Sequence, residues 1–273
     1  MSNFSSILDG YLARKAEVGR PAVARWRGSL LGACIRQQWY AAEKVEPSNP
    51  FPDNLYRIFE RGHAVAEVLN KAGKDALEAG DLLEFQEEVP ILLPEFDFSG
   101  NVDAFVKWPD GRREVWEYKS TTNRGMQYIR EVKPEHAVQA SIYAHILEQD
   151  TGEPVEARVI YAAAEDFKLL EFRLDRAWRD RALRVLRVLE YYGKRKPPRL
   201  PSRRGKDMKA EWPCKGCQWL KECRGLRSQS NSQPRSPRLW RRSGMLRRQE
   251  QTQHRDTSSC RHRQLPTRCA SSS

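Results

Sequence analysis

The chain has 273 residues, enough for one domain of ordinary size with appendages or for two small domains. Hydrophobic residues make up 39% of it and charged residues 31%, which predicts a packed core under a strongly charged surface. The longest apolar run, residues 159–164, is too short to span a bilayer, and residues 1–30 lack the apolar stretch of a secretory signal. We therefore expect an intracellular, cytoplasmic protein without membrane partners, whose cysteines stay reduced.

The net charge of +12 is concentrated at the C-terminal end. From residue 224 onward the chain carries 12 Arg, no Lys and two acidic residues, so residues 1–223 have a net charge of only +2. Overall basicity is therefore a weak argument for a nucleic-acid partner. The composition of this end, rich in Ser, Arg and Gln, predicts a disordered tail over 225–273 and a folded domain over 1–224.

The predicted elements mix helices and strands along the chain. Helices are predicted at 4–18, 28–44 and 53–79, followed by strands at about 83–93, 98–108 and 113–120. A helix at 134–149, strands near 156–163 and 167–173, and a helix at 176–193 follow. This order predicts an α/β fold with a mixed central sheet flanked by helices. A basic loop is predicted at 194–213.

The turn at residues 108–112, Trp-Pro-Asp-Gly-Arg, determines how two strands pair. Pro and Asp suit the right-handed positions of a type I turn, and Gly suits the left-handed residue that follows in a three-residue hairpin loop. Counting back from this loop places Asp103 directly opposite Glu117. Facing carboxylates destabilise a sheet, so this pair calls for a cation.

Strand alternation puts Lys119 on the same face as Glu117, whereas residues 116 and 118 point to the other face. Together with Asp103, these side chains suit a hard divalent cation with an ammonium group beside it. From these residues alone, an exposed cross-strand pair without a function remains the alternative.

The wider pattern around this hairpin resembles a known family. Residues 100–103 (Gly-Asn-Val-Asp) and 117–119 (Glu-Tyr-Lys) resemble motifs II and III of the RecB-like PD-(D/E)XK nucleases. The chain has Val102 where the superfamily name has Pro.

Two further matches lie on the neighbouring helices. His63, in the long upstream helix, resembles the motif I histidine of that branch. Gln139 and Tyr143 resemble its Q-x-x-x-Y signature and project from one helical face. The ordered set of matches covers roughly residues 55–145.

The resemblance implies a restriction-endonuclease-like fold and metal-dependent hydrolysis of DNA, with exonuclease action on single-stranded ends. It implies that Asp103, Glu117 and the main-chain carbonyl of Tyr118 hold Mg²⁺ or Mn²⁺. His63 would be a further ligand, which favours Mn²⁺. Lys119 would orient the attacking water and offset the charge of the transition state. Gln139 and Tyr143 would support the site or bind the backbone of the DNA strand.

Four cysteines, here called the cysteine clasp, have a spacing that predicts a metal site. Cys214, Cys217 and Cys223 form C-x2-C-x5-C, and Cys34 lies 180 residues upstream of the first of them. Structural zinc sites more often use two close pairs of ligands, whereas four irregularly spaced thiolates suit an iron–sulfur cluster. Zinc and four unrelated free cysteines are the alternatives.

This split of one and three cysteines resembles the iron–sulfur RecB-like exonucleases, including CRISPR-associated enzymes and the AddB nuclease domain. Residues 34–36 (Cys-Ile-Arg) also resemble their first-cysteine motif. The resemblance implies a structural [4Fe–4S] cluster and a prokaryotic or phage source. Besides DNA, it implies recombination or CRISPR-adaptation proteins as partners.

Two other functions fit the same residues. A DNA-binding or assembly subunit could keep this fold and cleave weakly or not at all, although degenerate relatives usually lose the acidic and lysine positions that this chain retains. A zinc-stabilised RNA-binding protein would show neither iron absorbance nor metal-dependent cleavage. The tail is either an arginine-rich arm for nucleic acid or sequence that never evolved to fold.

Overall fold

The computed structural model describes residues 4–18, 23–198 and 214–225. The helices are α1 (Phe4–Val18), α2 (Ile35–Ala42), α3 (Asp53–Ala79), α4 (Asn123–Met126), α5 (Pro134–Thr151), α6 (Arg176–Tyr192) and α7 (Leu220–Gly225). The strands are β1 (Trp26–Arg27), β2 (Glu84–Leu93), β3 (Phe98–Lys107), β4 (Arg113–Thr121), β5 (Val155–Ala163) and β6 (Leu169–Leu174). The predicted α/β class, with a mixed sheet flanked by helices, is confirmed.

The strands form one six-stranded sheet. Strand β3 pairs antiparallel with β2 along its whole length and with β4 on its other edge. Strand β5 runs parallel to β4 and antiparallel to β6. This mixture of directions follows from the connections, because a tight turn joins β3 to β4 whereas α4 and α5 carry the chain from β4 to β5.

Strand β3 shares one of its edges between two partners. Strand β1 pairs in parallel with Phe98 and Ser99, and β4 pairs with residues 104–107. Residues 100–103 therefore lie in a gap between β1 and β4, and this gap opens beside the predicted carboxylate pair.

Hydrophobic side chains pack on both faces of the sheet. The larger cluster lies under α5 and α6 and includes Val102, Val115, Val159, Ile142 and Leu186. The smaller cluster lies under α3 and includes Phe85, Ala104, Val106, Tyr118 and Ile160. Burial of these side chains, at about 1.5–3 kcal/mol for each large one, holds the helices against the sheet.

The predicted helix at 28–44 is wrong in its extent. A 3₁₀ turn at Gly28–Leu30, directly after β1, occupies its beginning, and α2 runs only from Ile35 to Ala42. Helical periodicity could not anticipate this, because Trp26 enters the sheet and a close contact at Gly28 depends on a distant helix. The short helix α4 was not predicted.

Two further predictions lie outside the described residues. The basic loop is described only up to residue 198, and the predicted tail from residue 226 onward is not described. No helix in the described ranges is both long and apolar enough to cross a membrane.

Candidate active site and cysteine clasp

The predicted hairpin loop is confirmed. The Trp108 N–H donates to the Arg112 carbonyl at 2.8 Å, and the Gly111 N–H donates to the Trp108 carbonyl at 2.9 Å. Gly111 has φ of +86°, the left-handed conformation that glycine adopts without steric cost. The turn therefore imposes the predicted register on β3 and β4.

Asp103 lies where β4 separates from β3. The ladder runs up to Ala104 opposite Trp116 and stops one residue before the predicted pair. In place of a ladder bond, Asp103 Oδ2 accepts the Tyr118 N–H at 2.7 Å. The carboxylate thus bridges the opening and stays close to Glu117, as the hairpin register requires.

Glu117 is buried with one oxygen unused. Glu117 is 1% exposed. Lys119 Nζ donates a hydrogen bond to Glu117 Oε1 at 2.5 Å, whereas Oε2 has no hydrogen-bond partner within the described residues. Burial, followed by the charge of Asp103, raises the pKa of Glu117 to about 8. A buried, unsatisfied carboxylate oxygen beside a second carboxylate fits a divalent cation.

Lys119 is held as a cation by its surroundings. Burial acts to lower its pKa, but the carboxylates of Glu117 and Asp103 outweigh this effect and raise the pKa above its ordinary value. Gln139 Oε1 accepts a second bond from Lys119 Nζ at 3.3 Å. The ammonium group is therefore positioned from β4 and from α5 at once.

Tyr143 completes a chain of contacts from α5 into the gap beside β3. Gln139 Nε2 donates to Tyr143 Oη at 3.2 Å, and Tyr143 is 1% exposed. A Cβ added at Gly28 would lie 2.0 Å from Tyr143 Oη, and one added at Gly100 would lie 2.7 Å from its ring. Both glycines are needed because the phenol occupies the space where their side chains would be.

Strands β2 and β3 are both distorted at the site. Val102 and Ala104 would share a face in a regular strand, yet they pack in opposite clusters on either side of Asp103. The register sets Glu88 of β2 across from Asp103, and Glu88 has φ of +53°, a left-handed value that is rare for glutamate. The Glu88 carboxylate accepts a hydrogen bond from Asn101 Nδ2 at 3.3 Å.

Glu88 is a residue that sequence reasoning missed. Its charge acts to raise the pKa values of both Asp103 and Glu117, as a smaller contribution beside burial. The paired acidic residues at 87–88, in the strand next to β3, were the available signal. The alternation of side chains along a regular strand could not show that β2 is distorted at Glu88.

The structure does not bring His63 to the carboxylate pair. Its side chain is 73% exposed, and its Nδ1 lies 3.4 Å from Glu60 Oε2 on the same helix. The reason is its place on α3, which packs on the face of Tyr118, opposite the face of Lys119. At Gly62, the residue before His63, the helix lies close to β4, since a Cβ there would be 3.2 Å from Ser120 Oγ.

His136 is a second residue that sequence reasoning missed. Its Nδ1 lies 2.9 Å from Tyr161 Oη, and Tyr161 pairs in register with Lys119 on the neighbouring strand. The available signal was its position three residues before Gln139, on the same face of α5.

The four cysteines of the clasp line one cavity of about 30 Å³, together with Arg36, Gln37, Tyr40 and Leu220. Cys34 precedes α2, and the other three thiols come from residues 214–223. Burial is the main cause of the raised pKa of Cys217, and the three other thiols add to it. Arg36 Nη1 donates to Cys223 Sγ at 3.4 Å. The sequence-distant thiols are therefore brought together.

Protein contacts hold the two parts of the clasp against each other. Trp219 stacks on Tyr40 with ring centroids 6.1 Å apart, and its Nε1 donates to the Val45 carbonyl at 2.7 Å. Ser48 Oγ donates to Glu222 Oε2 at 2.6 Å. These contacts hold residues 217–223 beside α2, where Cys34 lies.

Neither site has three ligands converging on one point. Among the described residues, no three His, Cys, Asp or Glu side chains are arranged so that they could hold a metal ion. The thiols surround the cavity, and the carboxylate pair supplies two side-chain ligands.

Comparisons with known proteins were made against families, curated sequences and solved structures. The family model described as "PD-(D/E)XK nuclease superfamily" matches residues 11–224, which include both sites. No curated protein matches.

Solved structures give only distant similarities. One is the crystal structure of SSO0001, with 15% identity, a TM-score of 0.45, and coverage of 80% of this chain and 93% of that one. Another comes from Eubacterium rectale and is named as an exonuclease, with 13% identity, a TM-score of 0.35, and coverage of 87% and 79%. At these TM-scores neither structure carries an argument. The family match covers most of the chain, and the mixed sheet flanked by helices is consistent with the restriction-endonuclease-like fold: the chain belongs to the PD-(D/E)XK nuclease superfamily.

Proposed function

We propose that this protein is a Mg²⁺- or Mn²⁺-dependent deoxyribonuclease that acts as an exonuclease on single-stranded DNA ends. Membership of the superfamily supports a metal-dependent nuclease. The observation that carries the proposal is the free, buried Oε2 of Glu117, which lies beside Asp103 and next to the ammonium group of Lys119.

In this proposal Asp103 and Glu117 hold the divalent ion. The ion, when bound, supplies Lewis-acid activation of the phosphate and of water. Lys119 positions the attacking water and offsets charge that develops on the phosphate oxygens. Gln139 holds Lys119 in place, and Tyr143 holds Gln139 while filling the gap beside β3.

The main-chain carbonyl of Tyr118 and the ring of His63 remain proposed ligands. The Tyr118 N–H is bonded to Asp103, so its peptide unit lies at the site. For His63 the observed exposure supplies no support, and His63→Ala decides its role. Cleavage unchanged in this variant at limiting Mn²⁺ would remove it from the ligand set.

The function is tested with Asp103→Asn and Glu117→Gln, with Glu156→Gln as the control. Glu156 is an exposed carboxylate on β5 of the same sheet. We expect both site variants to lose Mn²⁺-dependent cleavage of end-labelled single-stranded DNA, and the control to keep it. Circular single strands should resist the enzyme, because exonucleases need an end. Cleavage of circles would overturn exonuclease action, and EDTA-resistant cleavage would overturn the metal site.

The second candidate is a DNA-binding or assembly subunit with weak or no cleavage. The burial of Glu117 is the observation in its favour, because it raises the pKa of this carboxyl to about 8 and a neutral carboxyl holds metal poorly. Wild-type protein that binds single-stranded DNA but does not cleave it with either metal would establish this role.

We also propose that the four thiolates of the cysteine clasp hold a [4Fe–4S] cluster. Their placement around one cavity, with Arg36 beside Cys223, supports this assignment. Anaerobic purification, with iron and acid-labile sulfide measured per chain, distinguishes the alternatives. Four irons and four sulfides would establish the cluster, whereas one zinc or no metal would overturn it.

The proposed domain organisation follows from these sites. Residues 1–224 would form the nuclease domain, closed by the cysteine clasp, and residues 225–273 would be a dispensable tail. Recombination or CRISPR-adaptation proteins are the proposed partners besides DNA. Co-purification with such proteins from a native source would test them.

A further inference from the structure

One face of α5 carries three polar side chains toward the active site. His136, Gln139 and Tyr143 follow a spacing of three and four residues, which places them on the same side of a helix. Gln139 contacts Lys119 and Tyr143 contacts Gln139. His136 is the first of the three, in the first turn of α5, and the proposed mechanism leaves it without a role.

Tyr161 connects His136 to the catalytic strand. It pairs in register with Lys119 on adjacent parallel strands, so the two side chains point to the same face of the sheet. Tyr161 is 1% exposed, and its Oη accepts the Lys133 N–H at 3.0 Å and lies 2.9 Å from His136 Nδ1. The phenol therefore bridges the start of α5 and the neighbour of Lys119.

This bridge selects one tautomer of the imidazole. The Tyr161 hydroxyl proton is buried and needs an acceptor, and His136 Nδ1 is the acceptor that the structure provides. With Nδ1 accepting, the ring proton must be on Nε2, at the far edge of the ring. His136 is only partly buried, and its Nε2 is not among the fully buried side-chain atoms that lack a partner, so we take this edge as the one open to a substrate.

The ring is also kept neutral. Burial, followed by the positive charges of Lys119 and Lys133, lowers the pKa of His136 to about 3. Across the range in which nucleases work, His136 thus offers one N–H donor without adding a charge.

We propose that His136 is a substrate-contacting residue whose Nε2–H donates a hydrogen bond to a non-bridging oxygen of the cleaved phosphate. Its position beside Tyr161 and Lys119, on the helical face of Gln139, carries this inference. Tyr161 acts as the positioning residue that keeps the donor on Nε2. The inference rests on the proposed nuclease function and adds a neutral donor to the charged groups already placed there.

The first experiment compares His136→Leu, which removes the donor, with His136→Gln, which keeps an N–H of similar reach. A hydrogen bond to a charged group is worth enough to predict a loss of about 10- to 100-fold in kcat/KM for His136→Leu. His136→Gln should recover much of this loss, and Tyr161→Phe should fall between wild type and His136→Leu. The control is His145→Leu, a partly buried histidine farther along the same helix.

The second experiment has a readout that a purely structural role would not move. Single-stranded DNA with an Rp or an Sp phosphorothioate at the cleaved linkage is digested with Mn²⁺, which tolerates sulfur ligands better than Mg²⁺. Wild type should be slowed by sulfur in one configuration, because sulfur accepts the His136 hydrogen bond poorly. That extra slowing should disappear in His136→Leu and persist in His145→Leu.

These outcomes separate the two proposals. If wild-type protein shows no metal-dependent cleavage, the nuclease function itself fails. If wild type cleaves, but His136→Leu matches the His145→Leu control in rate and keeps the same phosphorothioate effect, the role of His136 is overturned while the nuclease function stands.

Discussion

The carboxylate pair and the cysteine clasp are built on opposite principles. Asp103 and Glu117 lie on strands joined by a short hairpin. Its turn sets the register as far as Ala104 and Trp116, and the Tyr118 N–H bond to Asp103 holds the next pair of residues close. Cys34 is separated from the other three thiols by most of the chain, and a docked Trp219 brings them together. One site follows from local geometry, the other from long-range packing.

This difference indicates where each site is vulnerable. The hairpin places two carboxylates beside each other, and burial, followed by the charge of Asp103, raises the pKa of Glu117. Changes there should alter chemistry more than folding. The clasp closes a long loop, so changes there should alter stability first, because a metal that binds only the folded chain contributes its binding free energy to folding.

The largest expected effect is on catalysis, from Lys119→Ala. We expect kcat to fall about 100- to 1,000-fold, as when a group that stabilises the transition state is removed, with metal and DNA binding largely kept. Single-turnover cleavage and DNA-binding titrations measure the two properties separately. Lys107→Ala, at the far end of β3, is the control. Full activity in Lys119→Ala would show that the hairpin site is not catalytic.

The second effect is on stability, from Cys34→Ala. We expect loss of the bound metal and of any visible colour, and a loss of about 2 kcal/mol would lower Tm by about 4–8 °C for a domain of this size. Thermal unfolding with metal analysis measures both. Cys260→Ala, which lies outside the described residues, is the control. Equal metal content in the two variants would show that Cys34 is not a metal ligand.

The third effect is a pH dependence of the thermal stability that arises at the carboxylate pair. The pKa of Glu117 is raised in the folded protein from an ordinary 4.5 to about 8. Its contribution is therefore fully present below pH 4.5 and is lost as pH rises toward about 8. With EDTA present, Tm should fall from about pH 4.5 to about pH 8 more steeply in wild type than in Glu117→Gln. Equal slopes would place the titration elsewhere.

The smallest effect concerns the distorted strand β2. Glu88 has a left-handed φ of +53°, which costs a non-glycine residue roughly 1–2 kcal/mol. Glu88→Gly should relieve this strain and raise Tm by a few degrees, about 2–4 °C per kcal/mol. Glu87→Gly, in the same strand, should lower Tm instead, because glycine weakens a regular strand. A lower Tm in Glu88→Gly would mean that its contacts outweigh the strain.

Much of the fold and part of the site could be predicted because they depend on short-range rules. The Pro-Asp-Gly turn, the alternation of β4 and the spacing of Gln139 and Tyr143 each depend on a few neighbouring residues. The long helix α3 and the order of the strands followed from periodicity and breakers in the same way.

The remaining features could not be predicted because distant segments determine them. His63 was predicted as a metal ligand, and this stays a proposal: α3 packs on the opposite face of the sheet, and the ring is exposed. Glu88 and His136 were not recognised, because their relevance depends on a twist in β2 and on the contact of His136 with Tyr161.

By itself, then, the sequence determined the hairpin register that faces Asp103 with Glu117, the helical face that supports Lys119, and the cysteine spacing. Only the tertiary structure decided that Glu117 is buried with a free oxygen, that Tyr143 fills the gap between β1 and β4, and that four thiols surround one cavity. The physical reason is that spacing sets which residues are neighbours, whereas burial and charge depend on what the rest of the chain places around them.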